Sequence, residues 1–296
     1  MSVVNDQIKL EEETLIPANR IFDLAKRLLK NKGAVLGLFI IVLLFLSAIF
    51  APLIAPYSYQ AQSLSKMLRP PGQGHILGTD EFGRDMFSRI VYGSRISLLV
   101  GFVTVGISLV IGVVLGALAG YYGGLLDYII SGLTDIAWSF PRNLLAIAFI
   151  ATLGPGLLSV MLAVALISWA GFARLIRGQF LSLKEQEFVE AARVLGMSDF
   201  RIIFRHIIPN ALAPIIVLTT LEVPKAIIVE ASLSFLGLGA QPPTPSWGSI
   251  MSSGRSYIAM APWVVIFPGL MVMIVVLGFN LFGDALRDSL DPRLRD

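Results

Sequence analysis

Five charged side chains inside or beside long apolar runs carry most of the chemistry this 296-residue chain can offer: Asp135, Arg142, Glu222, Lys225 and Glu230. A central Asp, Lys or Arg costs roughly 2.5–3.5 kcal/mol on an insertion scale, so such groups must face one another, a neighbouring subunit or a wet pathway. Glu222 and Lys225 are three apart and can pair, although Pro224 between them distorts the turn. The chemistry expected is passage rather than bond breaking. Arg142 and Lys225 can line a route that favours carboxylate-bearing cargo; buried structural pairing is the other reading. Asp135, Glu222 and Glu230 could instead titrate in a proton-driven secondary transporter.

No catalytic residue is assigned. The chain has no cysteine, which excludes disulfides and thiol catalysis. His75 and His206 lie far apart without companions at ligand spacing, so no metal site is expected. An intramembrane hydrolase would need a His within the bilayer, and neither is expected there. No Gly-x4-Gly-Lys-Ser/Thr loop is present to cradle a nucleotide, so any hydrolysis driving the chain must occur on a partner.

The elements that position these charges follow from composition. Apolar residues make up 55% and charged residues 15%, with mean hydropathy +0.77, against about 45–50% and about 25% in soluble domains. This is a polytopic membrane protein, predicted all-α. Six spans are long enough for a bilayer core of about 30 Å: Gly33–Ile54, Ile96–Tyr121, Tyr128–Leu153, Leu157–Arg174, Ala211–Gly237 and Trp263–Phe282. Pro141, Arg142 and Asn143 interrupt the third. The first span follows a polar lead too long for an ordinary signal peptide, so it is expected to stay.

Lys and Arg concentrate on one side: six in the N-terminal tail, six before span five (Arg174, Arg177, Lys184, Arg193, Arg201, Arg205) and three near the C-terminus (Arg287, Arg293, Arg295). That asymmetry places both termini and the loop before span five in the cytoplasm. Lys66, Arg69, Arg84, Arg89 and Arg95, on the other side, dissent mildly. The modest charge of +3 beside apolar segments fits membrane orientation, not nucleic-acid binding. The expected organisation is residues 1–32 as a tail, in which Ile21, Leu24, Ala25 and Leu28 form an interfacial amphipathic helix against lipid. Residues 33–95 then hold the first span and an extracytoplasmic loop, 96–285 a five-helix core, and 286–296 a cytoplasmic tail. Gly112, Gly116 and Gly120 recur every four residues and allow close approach of another helix.

Within the loop 185–210, two short helices are expected around Gly196. Phe188, Ala192 and Leu195 share a face in the first, with Glu187, Glu190 and Arg193 toward water. Gly196 ends it, since it tolerates positive φ; Ser198 or Asp199 caps the second. There Phe200, Ile203, Phe204, Ile207 and Ile208 make a buried stripe, Arg201 and Arg205 face out, and Pro209 stops the helix. Such a unit can take mechanical input from a soluble partner, or simply lie on anionic lipid as a connector. Near the other end, Gly78-Thr79-Asp80 with Gly83-Arg84-Asp85 suggests a hydrogen-bonded plug. Pro242-Pro243-Thr244-Pro245 reads as extended, with Trp247 at the lipid–water boundary.

The stretch EAARVLGMSDFRIIFRHIIPN resembles the EAA loop of ABC importer permeases, with Glu190, Ala191, Ala192, Gly196 and Pro209 at the family's positions. His-Ile-Ile-Pro-Asn, the segments His75–Gly101 and Glu230–Gly248, and the C-terminal Asn280–Asp284 and Leu290-Asp291-Pro292 are similar to the dipeptide and oligopeptide branch, DppC/OppC-like. The resemblance covers most of the chain from about Lys32. It implies a six-helix bundle of the type I importer (MetI-like) kind in a prokaryotic plasma (inner) membrane. It implies a sister permease (DppB/OppB-like), two cytoplasmic ABC ATPase subunits that bind ATP and Mg, and an extracytoplasmic solute-binding protein; this chain itself binds no cofactor. Residues Glu190, Ala191, Ala192, Gly196, Arg201, Arg205 and Pro209 would couple to the ATPase, with di- or oligopeptides as cargo and nickel chelates or glutathione-like peptides as alternatives. Two departures bear on cargo: Gly132 stands where the family commonly has Arg, and Pro224-Lys225 replaces small or apolar residues.

Overall fold

The structure, a computed structural model, describes residues 25–72 and 74–290. Ile21, Leu24, Arg293 and Arg295 lie outside this range. Residues 25–30 are helical. Asn31 then opens α1 (Lys32–Ile49), its Oδ1 accepting from the Gly33 and Ala34 amides at 2.8 and 3.2 Å, which satisfies two of the orphan donors at a helix start. A short α2 (Ala51–Ile54) follows, then irregular chain to Asp85. Among the described residues the only β pairing is two isolated bridges in that segment.

Helix α3 (Met86–Tyr122) has 37 residues, about 55 Å at 1.5 Å per residue. It begins well before the expected Ile96 because Asp85 caps it, accepting from the Ser88 amide at 2.8 Å, and because polar residues of its first turns are buried against the preceding loop. The expected third span is two helices, α4 (Gly124–Ser139) and α5 (Arg142–Leu153), bent by 97°. Pro141 causes the break: the residue before a proline is driven out of the α region, and Phe140 has φ −107° and ψ 143°. Helix α6 (Leu157–Leu183) runs past the expected end at Arg174. Then come α7 (Glu187–Val194), α8 (Asp199–Ile202) continuing through a π turn at Ile203–Ile207, and α9 (Ile208–Phe235). The chain closes with α10 (Trp247–Gly254) and α11 (Trp263–Leu290), the latter extending beyond Phe282. Among the described residues five helices are long and apolar enough to cross a membrane, six spans if the bent pair counts as one.

Two ends are defined by α3, whose start adjoins the 55–85 loop (the plug end) and whose finish adjoins the helices around Gly196 (the hinge end). The glycine triplet fastens α3 to α6: a Cβ at Gly112, Gly116 or Gly120 would overlap Phe172, the Ala173 backbone or Phe180. The triplet therefore serves packing within the subunit, with backbones brought together by absent side chains. Gly37 and Gly278 do the same for α1 and α11.

At the plug end the expected hydrogen-bonded knot is present. Asp80 is buried and accepts from the Phe82 and Arg84 amides at 2.9 and 2.8 Å, while its second oxygen meets Arg84 Nε at 2.5 Å and Arg89 Nε at 3.3 Å. Arg84 also reaches Glu81, and His75 Nδ1 pairs with Asp85 at 2.9 Å beneath the Tyr57 ring. Arg84 is thus held by two carboxylates, Arg89 lies within ion-pair range of Asp80 while its Nε and Nη1 make no hydrogen bond among the described residues, and Arg95 donates to the Ala48 and Ile49 carbonyls. Trp247 departs from expectation. It is fully buried, its indole N–H donating to the Ile90 carbonyl at 3.2 Å, because Gly93 and Gly248 leave room for α10 to dock inward. Residues 242–243 form a turn rather than an extended rod.

Candidate functional site

The hinge is built from two helices too short to stand alone. Val189 and Ala192, one turn apart on α7, are buried with Ile176 and Phe180 of α6. That choice of face turns Phe188 and Leu195 outward, contrary to the sequence expectation, and leaves Glu190, Ala191 and Arg193 exposed. Gly196 has φ +73°. Its amide donates to the Arg193 carbonyl at 2.9 Å and the Met197 amide to the Ala192 carbonyl at 3.1 Å, the paired bonds of a Schellman ending that a glycine at that position permits.

Past the turn, Ser198 occupies the cap position without a side-chain bond. Asp199 instead accepts from the Tyr121 hydroxyl at 2.7 Å, which ties α8 to the end of α3. Ile202, Ile203 and Ile207 are buried, but Phe200 and Phe204 are exposed with ring centroids 4.4 Å apart. The expected stripe therefore splits between two faces. Arg201 and Arg205 are exposed as anticipated. Pro209 does not stop the helix: it occupies the first turn of α9, where its missing N–H is not needed, and the π turn before it carries the helix on, the Ile208 amide reaching the Ile203 carbonyl. Residues Asp199–Phe235 thus form one helical rod from hinge to interior. His206 lies in that rod's π turn, its imidazole Nε2 without a hydrogen-bond partner among the described residues. The hinge thus shows Val194, Leu195, Phe200 and Phe204 to its surroundings, with Glu190, Arg201 and Arg205 exposed on the same two helices.

The five interior charges fall into three separate places. Glu222 is buried and joins Lys225 at 2.8 Å and Arg142 at 3.4 Å, so the distortion at Pro224 does not prevent the pairing. Arg142 and Lys225 also line one small cavity with Ser168 and Ile167 of α6. Asp135 is elsewhere, its exposed carboxylate bonded to Arg174 at 2.6 Å while that guanidinium lies over the Trp138 ring. Glu230 is completely enclosed, with Oε1 accepting from Ser234 at 2.6 Å and Oε2 without a partner among the described residues. Sequence reasoning missed Asp127 and Arg177, whose two-pronged pair joins α4 to α6 at the hinge end. Fifty residues of intervening chain hide that contact from any spacing rule. Lys184 adds a bond to the Gly120 carbonyl at 3.0 Å.

Residues 112–296 match the family described as binding-protein-dependent transport system inner membrane component, and residues 22–71 match the N-terminal TM domain of oligopeptide transport permease C. The chain belongs to the binding-protein-dependent transport permeases. It is 52% identical over 270 residues to a dipeptide transport system permease protein DppC of Alkalihalophilus pseudofirmus, covering 91% of this chain and 89% of the relative. It is 45% identical over 271 residues to a glutathione transport system permease protein GsiD of Pectobacterium atrosepticum, covering 91% and 90%. A chain of the MetNI methionine ABC transporter, solved in inward-facing conformations, superposes with a TM-score of 0.57 at 20% identity over 70% of this chain and 98% of that one. That likeness shows the fold: an all-helical, MetI-like permease bundle. As an ABC importer permease, the chain is not a self-sufficient proton carrier. Among the described residues, the three carboxylates invoked for that role share no hydrogen-bond partner.

Proposed function

We propose that this permease imports short peptides as one of two membrane subunits, paired with a DppB/OppB-like sister and driven by two ATPases that dock on the hinge. A soluble binding protein delivers cargo at the plug end. ATP and Mg reside on the ATPases, and this chain performs no catalysis. The hinge faces the cytoplasm with both termini, in keeping with the Lys and Arg bias of the sequence.

One observation carries the reading. Apolar side chains at Val194, Leu195, Phe200 and Phe204 are exposed on two short helices around Gly196, and the second helix is continuous with the rod that reaches Glu222 and Lys225. An exposed apolar patch rimmed by charge marks a protein contact. A continuous helix from that contact to the interior gives displacement at the hinge a direct route to the charged cluster. Glu190 and the two arginines supply orientation through rim charges, which govern specificity more than raw affinity. Dipeptide and glutathione systems among the relatives favour peptides over nickel chelates as cargo.

The test is reconstitution of the four-subunit assembly in proteoliposomes with its binding protein. Short peptides should stimulate ATP hydrolysis and accumulate inside. Glu190→Lys and Gly196→Pro should leave subunit abundance in the membrane unchanged yet separate ATP consumption from uptake. Wild-type transport by both variants would contradict the coupling role.

A further inference from the structure

We propose that Arg142, held beside Glu222 and Lys225, is a receptor for the carboxylate of the cargo. The inference rests on the peptide-import reading and adds the chemical group the interior recognises. Two cations surround one carboxylate here. Lys225 and Glu222 stand three apart on α9 and meet at 2.8 Å, so they neutralise each other first. Arg142 arrives from α5 at 3.4 Å, a longer contact to an oxygen of the same carboxylate. It has no other acidic partner among the described residues. The cluster carries one positive charge in excess.

Its position matters as much as its charge. Arg142 is the first residue of α5, immediately after the 97° break, and its guanidinium is over a third exposed. Ile167 and Ser168, which share its cavity, lie ten or so residues along α6 from the plug end, about 16 Å down the helix. Glu222 and Lys225 sit near the middle of α9. An uncompensated guanidinium at mid-depth in a membrane bundle requires an anion or water. A planar guanidinium suits a carboxylate through two parallel N–H donors. Glu222 meets one guanidinium nitrogen from within the protein, which leaves the exposed part of the fork for the cargo's terminal carboxylate.

The experiment uses the complete importer in proteoliposomes with one binding protein throughout. ATP-dependent uptake of tri-alanine is compared with that of its C-terminal amide. The acid should be preferred by about tenfold, the scale on which loss of a charge-assisted bond is read. Arg142→Gln should bring the acid-to-amide uptake ratio to about one, and Arg142→Lys, which lacks the planar fork, should keep only a small part of the preference. Lys225→Gln leaves Glu222 to neutralise Arg142, so it should also abolish the preference; it decides the matter if Arg142→Gln fails to assemble. An acid-to-amide ratio that stays at its wild-type value in these variants overturns the proposal, including the case where both peptides slow in proportion. Absence of any ATP-dependent peptide uptake by the wild type would instead remove the peptide-import reading, and this inference with it.

Discussion

Gly116 leaves no space for a side chain, since a Cβ there would press into the Ala173 backbone and Ile176. Forcing methylenes into a packed interface costs typically ~1–3 kcal/mol, more where backbone must move. Gly116→Val should therefore lower the detergent melting temperature and membrane abundance, whereas Gly106→Val, at an open position of the same helix, should do neither. At the plug end Asp85 accepts from His75, from the Ser88 amide and from the Ser88 hydroxyl at once. Asp85→Ala removes a helix cap and orphans a buried imidazole, so a loss of about 2 kcal/mol or more is expected, seen as early melting of the purified protein. A melt equal to wild type would show the knot to be dispensable. The glycine spacing was readable from sequence because period four is local. Trp247 was not: an indole beside prolines looks interfacial until the glycines that admit it, Gly93 and Gly248, are known to be opposite.

Short helices α7 and α8 matter through what they leave uncovered. Leu195→Asp and Phe204→Asp change only exposed side chains. Both should assemble normally yet reduce peptide-stimulated ATP turnover by about tenfold, a loss of ~1.4 kcal/mol of coupling. Equal turnover would move the docking surface elsewhere. A second latch holds the same end together: Arg177 grips Asp127 across α4 and α6. In the double-mutant cycle of Asp127→Asn and Arg177→Gln, the two losses should be non-additive, by about 0.5–3 kcal/mol. The two-helix hinge and the role of Gly196 were legible, since a helix-ending glycine between amphipathic segments is a local signal. The faces were not. An apolar stripe that meets the core and one left exposed look alike in sequence, so the pattern groups Phe200 and Phe204 with Ile203 and Ile207. The continuity past Pro209 was also hidden, because a π turn has no sequence signature that distinguishes it from a stop.

Across the whole molecule, side chains such as Phe39, Leu43, Val110 and Met273 are exposed along the spanning helices, as a bundle surrounded by lipid requires. Composition alone made that legible, together with the number of spans. The 97° break at Pro141 was legible only as an interruption, because its angle depends on how α5 settles against α6. The central claim is that the end bearing Gly196 receives the ATPase and the end bearing His75 does not. Because the natural chain has no cysteine, single thiols introduced at Leu195→Cys and at Ile76→Cys, both exposed positions at opposite ends, can be compared in the assembled importer with one short bifunctional crosslinker. Leu195→Cys should capture an ATPase subunit in high yield and Ile76→Cys should capture none; the reverse pattern, or an empty Leu195→Cys lane, would contradict the account.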